Sequence, residues 1–142
     1  MIMIQDVLER TTRVQIEVTR DVETYDITTS DMDDSCIPYR VAQKAMMWIS
    51  NDGLLAELEC IYPQYVNGPL CFNASSLITL NGTPKIVCDK SVGQVWIEDR
   101  GSSFTVWFTK GEQITKEVIV APNMKVLVTN SQVVGITAMT VS

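Results

Sequence analysis

From residue 92 to the end, hydrophobic and polar positions alternate with a period of two, interrupted by short runs of turn-forming residues. In Phe104-Thr105-Val106-Trp107-Phe108-Thr109, residues Phe104, Val106 and Phe108 fall on one face and the threonines and Trp107 on the other. Aromatic and β-branched residues in that order predict a strand with one buried face. Residues 94–98 repeat the pattern, and Asp99-Arg100-Gly101-Ser102 between them predicts a hairpin closed by Gly101. Further strands follow over 115–120, 125–129 and 133–141. Their spacing suits an antiparallel meander, since helical crossovers need more chain.

Earlier in the chain, Val14, Ile16 and Val18 alternate with Gln15, Glu17 and Thr19, predicting a half-buried strand over 13–19 with a hairpin partner over 25–29. Residues 2–9 read equally as a short helix or a strand. Residues 54–62 predict a strand ended by Pro63, and 64–76 a long loop. Asn81-Gly82 predicts a hairpin joining strands over 77–80 and 84–88. A different period stands at residues 37–50, where Ile37, Val41, Ala45, Trp48 and Ile49 recur at helical spacing. Pro38 fits a first turn, Asp33, Asp34 and Ser35 fit a cap, and Gly53 fits a stop. The expected architecture is therefore α+β: a mainly antiparallel sheet, meander or sandwich-like, with one principal helix packed on a face, in a single domain over residues 1–142.

Composition narrows the class. With 142 residues and 46% hydrophobic positions the chain is long and apolar enough to bury a core without staples. No apolar run reaches the length of a membrane span and no basic leader with an apolar core opens the chain, so a cytoplasmic location without membrane association is expected. Cys36, Cys60, Cys71 and Cys88 contain no close pair, and with no histidine anywhere they read as reduced, mostly buried thiols rather than metal ligands. Asn73-Ala74-Ser75 and Asn81-Gly82-Thr83 match the glycosylation pattern by chance if no secretory route is taken.

Charge is unevenly placed. The net charge is −6, and residues 1–35 alone carry nine acids against three bases, while residues 36–142 carry eight of each. An acidic segment repels nucleic-acid backbones and steers basic proteins. A basic protein is therefore the expected partner, nucleic acid is not, and the residues expected to contact it are Asp21, Glu23, Asp26, Asp31, Asp33 and Asp34. The bland alternative is a solvated face that keeps the protein soluble.

Catalytic signatures are sparse. Without histidine there is no Ser-His or Cys-His arrangement, and no phosphate-cradling glycine motif occurs. Glu57, Glu59, Glu98 and Asp99 are the carboxylates whose meeting in one cleft would allow acid–base work. Asp31, Asp33 and Asp34 lack the glycine and the terminal glutamate of a calcium loop, Ala42 standing at the twelfth place. No cofactor and no metal are expected. Trp96 and Trp107 form a cross-strand pair if their strands adjoin.

The stretch Val118-Ile119-Val120-Ala121-Pro122-Asn123-Met124-Lys125-Val126-Leu127-Val128, followed by Asn130-Ser131-Gln132-Val133-Val134-Gly135-Ile136, resembles a small bacterial domain family of unknown function. Its members close with a hydrophobic strand, a polar turn and a strand carrying Val-Gly-Ile; Ser131-Gln132 stands here where an Asp-Gly pair is usual. The resemblance implies a β-rich fold and no catalytic residues. In profile, a small, acidic, histidine-free single domain is similar to the immunity proteins that neutralise bacterial toxins. The function expected on these grounds is non-enzymatic inhibition of a basic toxin such as a nuclease. A structural or assembly subunit, self-associating or phage-related, is the alternative, and a small carboxylate-based hydrolase comes third.

Overall fold

A computed structural model describes residues 1–89 and 92–140. Strands make up 64% of it, and no α-helix occurs among the described residues. The strands are β1 (Ile2–Leu8), β2 (Val14–Thr19), β3 (Thr24–Thr29), β4 (Ile37–Ala42), β5 (Ala45–Ile49), β6 (Leu55–Ile61), β7 (Gln64–Tyr65), β8 (Phe72–Asn81), β9 (Thr83–Cys88), β10 (Trp96–Asp99), β11 (Ser103–Trp107), β12 (Gln113–Ala121), β13 (Met124–Thr129) and β14 (Gln132–Met139). The last predicted residue of β14, Val141, lies outside the described residues.

Two sheets form. Sheet B has the order β2-β3-β6-β5-β4, antiparallel throughout. Sheet A has nine strands; its main path is β7-β10-β11-β14-β13-β12-β8, with β1 attached to β14 and β9 to β1. Two pairs in it, β7 with β10 and β8 with β12, are parallel, so the sheet is mixed rather than a pure meander. The inner faces of both sheets supply one core, with Tyr25, Ile27, Met47 and Leu58 from sheet B and Ile97, Phe104, Val126 and Ile136 from sheet A. Burying this apolar surface is the main stabilising term.

The predicted helix over 37–50, and with it the α+β class, is overturned: these residues are the β4–β5 hairpin, paired from Ile37↔Ile49 to Ala42↔Ala45. Ala45, Met47 and Ile49 are buried while Met46 and Trp48 between them are half-buried, a period of two hidden beneath the helical spacing. Pro38 sits on β4, the sheet edge, where a missing N–H leaves no ladder bond unmade. The residues 33–35 read as a helix cap form a local turn instead: Asp33 Oδ1 accepts the Ser35 N–H at 2.8 Å.

The Asn81-Gly82 hairpin is also corrected. The strands β8 and β9 flank it but pair elsewhere, β8 with β12 and β9 with β1. Gly82 lies at φ +151°, and a Cβ there would stand 2.3 Å from the Leu8 carbonyl oxygen, so close approach to β1, rather than a hairpin, requires glycine. The loop after Pro63 is structured as well. Val66, Leu70 and Leu77 pack over Trp107, Ile114, Leu127 and Val134, giving sheet A a small second core on its outer face. That cover helps to bury Trp107 on the outer face of β11, while Phe104 and Val106 face the main core.

Candidate functional site

On β3 and β6, alternate residues point away from the core. The register pairs Glu17 with Asp26 across β2 and β3, and Asp26 with Glu59 across β3 and β6; Glu57 is the next outward residue along β6. Four carboxylates thus share one face of sheet B around a depression of about 200 Å³, walled by Thr19 and Thr24. Oxygens of Asp26, Glu57 and Glu59 lie within 4.8 Å of one another.

Like charges at this range, partly desolvated, disfavour full ionisation. Glu57 is pushed up to about 8, first by hydrogen bonding to the Asp26 carboxyl, then by burial and the charges of Asp26 and Glu59. Glu59 is raised by burial and by Asp26. Asp26 Oδ2 accepts the Thr28 hydroxyl at 2.8 Å, whereas Asp26 Oδ1 is buried and has no hydrogen-bond partner among the described residues. A protonated Glu57 or an incoming cation satisfies that oxygen. None of the ion pairs among the described residues reaches this cluster. Chemically, the arrangement holds either one shared proton or one positive charge; all-oxygen donors suit an ammonium, a guanidinium or a hard metal ion.

The six acids expected at the partner surface separate. Asp26 lies in the cluster. Asp21 belongs to the 3₁₀ turn Arg20–Val22 at one end of sheet B, followed by Glu23 in the left-handed conformation (φ 49°). Asp31, Asp33 and Asp34 lie in the β3–β4 connection at the opposite end, one six-residue strand away, about 20 Å. Asp31 is committed to Arg10 at 2.7 Å. Glu17, Glu57 and Glu59 join Asp26 instead, through cross-strand register; alternation in Leu55–Ile61 exposed Glu57 and Glu59 on one strand face, but no signal in the sequence pairs that strand with β3.

Glu98 and Asp99 do not meet Glu57 and Glu59. Glu98 lies on the outer face of sheet A, accepting the Trp107 indole N–H at 3.0 Å and pairing with Arg100 at 3.0 Å. Asp99 ties the two sheets together at one end. It accepts the Tyr25 hydroxyl at 2.6 Å and two guanidinium N–H groups of Arg20 at 3.1 Å each. These donors outweigh desolvation and hold its carboxyl down to about 2. The four cysteines are unpaired, Cys60 and Cys71 buried.

Around the Asp21 end the surface is apolar as well as acidic. Val22, Ile61, Tyr62 and Tyr65 are all exposed there, Tyr62 at 54%. Tyr62 takes a left-handed backbone (φ 50°) and donates its N–H to the Glu23 carbonyl at 2.9 Å, so the two left-handed residues brace each other. Exposed tyrosines beside aliphatic residues with a charged rim are the composition of protein-contact surfaces.

Compared with known proteins, the sequence matches no family model and no curated protein. No helix among the described residues is long and apolar enough to cross a membrane.

Proposed function

We propose that this is a non-enzymatic binding protein that docks a basic protein onto the outer face of sheet B, seating one lysine or arginine among Asp26, Glu57 and Glu59. The observation that carries the reading is the buried, unpartnered Asp26 Oδ1 facing two carboxylates on the next strand. A guanidinium or ammonium takes the place of the Glu57 proton on that oxygen and neutralises the carboxylates around it together. Asp21 and Glu23, with Tyr62 and Tyr65 beside them, extend the surface at the end of the sheet; Asp31, Asp33 and Asp34 act at longer range by steering. An inhibitor of the immunity type, covering the basic active site of a toxin such as a nuclease, fits this chemistry.

The test is affinity capture from the native host with the wild type and with the triple variant Glu17→Gln, Glu57→Gln, Glu59→Gln. One basic protein held in equal amount by the wild type, released by high salt and lost by the variant is the expected result. The same eluate from both baits overturns the proposal.

A further inference from the structure

The outer face of sheet A carries a second, chemically different site. The register lines up Glu98, Thr105, Thr137 and Lys125 in one straight row across β10, β11, β14 and β13. Glu117, on β12, pairs with Lys125 at 3.2 Å and accepts the Thr79 hydroxyl at 3.1 Å. The row floors a groove of about 350 Å³ whose rim includes Phe72 and Asn73.

Three features define what the groove accepts. First, its charges are already matched, Glu98 with Arg100 and Glu117 with Lys125. An ionic ligand would have to break a pair, so a neutral one is favoured. Second, hydrogen-bonding capacity remains in fixed positions. Arg100 uses three of its five donors, on Glu98, Ser103 and Thr105, and Thr105 bonds Thr137 at 2.8 Å. Glu98 Oε2 makes no hydrogen bond among the described residues and Lys125 spends one of its three donors. A free acceptor at the Glu98 end of the row and free donors at the Lys125 end suit hydroxyl groups, which do both. Neighbouring strands lie about 4.8 Å apart, so four strands span about 14 Å, the length of three sugar rings. Third, Phe72 is 64% exposed on the rim, an aromatic face open to solvent with no packing role to explain it. An aromatic face attracts the polarised C–H bonds of a sugar ring.

We propose that this groove binds a neutral oligosaccharide, one ring stacked on Phe72 and its hydroxyls bonded to Glu98, Arg100, Glu117 and Lys125. The floor is rigid before binding. Gly135 pairs with Trp107, and a Cβ on it would stand 2.9 Å from the indole ring, so the tryptophan lies flat on glycine with its N–H fixed on Glu98.

The experiment is a two-dimensional amide and indole NMR titration of the full chain with cellohexaose, mannohexaose, xylohexaose and N-acetylchitohexaose. The expected result is that one of them shifts the Trp107 indole N–H and the β11, β13 and β14 amides, and that Phe72→Ala weakens its binding about tenfold or more. Phe72 is exposed, so an unchanged melting temperature shows that the variant is folded. No shift from any of the four at about 5 mM, where a millimolar Kd still registers, overturns the proposal. So do unaltered binding by Phe72→Ala and shifts confined to sheet B. The groove lies on the opposite face of the sandwich from the carboxylate cluster, so the outcome is independent of the protein partner.

Discussion

Replacing Glu57 by glutamine removes one acid from the cluster while keeping its shape, and its effect on stability depends on pH in a fixed direction. In the folded protein Glu57 releases its proton at about 8, against 4.5 when unperturbed. Between those values the folded chain keeps a proton that the unfolded chain has lost. Stability from this group is therefore complete below about pH 4.5 and drains away as pH rises through 8. At full strength a shift from 4.5 to about 8 amounts to ~5 kcal/mol, at 1.36 kcal/mol per unit. The carboxylates lie on the solvent face of the sheet, so screening reduces this to ~1–2 kcal/mol. Urea unfolding of wild type and Glu57→Gln at intervals from pH 5 to 9 reads it directly. The wild type loses ~1–2 kcal/mol across the window and the variant, which keeps only the smaller contribution of Glu59, loses less, ending more stable at pH 9. Parallel curves would refute the argument, because they would mean that the Asp26 hydrogen bond, burial and the neighbouring charges do not hold a proton on Glu57.

Asp99→Asn tests the opposite limb: with its carboxyl held at about 2, Asp99 stabilises the fold above about pH 4 and ceases to as pH falls towards 2. The variant should lose ~1–2 kcal/mol at neutral pH and unfold in acid with a shallower pH dependence, followed by circular dichroism. Gly135→Val drives a branched side chain into the Trp107 ring and should cost ~1–3 kcal/mol in thermal unfolding, with the indole fluorescence altered in the native state.

Much of the strand inventory was legible. Phe104 to Trp107, Val14 to Thr19 and the Gly101 turn follow from local alternation and one residue able to take φ 91°, and the Trp96↔Trp107 pair follows from the hairpin. What failed was non-local or doubly periodic. In residues 37–50 the positions 41, 45 and 49 satisfy both a helical and an alternating pattern, and tertiary pairing with β6 decided for the strand. Asn81-Gly82 carries the local mark of a hairpin, yet its glycine is required by the Leu8 carbonyl, over seventy positions away in the sequence. The carboxylate cluster is hidden for the same reason. Glu17, Asp26 and Glu59 are brought into line by register between strands, which composition does not specify, whereas the acidic count of the first 35 residues marked a region and not a site.

Strand β1 pairs with β9 from Ile2↔Cys88 and touches β14 at Met3↔Gln132. Strand β1 therefore has no partner until the chain has been made as far as β9, more than seventy residues on, and its neighbour on the other side, β14, follows later still. Sheet formation in such a topology must close long loops before any contact rewards them, placing folding in the slow range of milliseconds to seconds. Until then Ile2, Ile4 and Val7 are open to solvent as an unpaired strand. Slower translation or lower temperature should therefore shorten the exposure of that strand relative to synthesis and raise the folded yield without any change in the folded state.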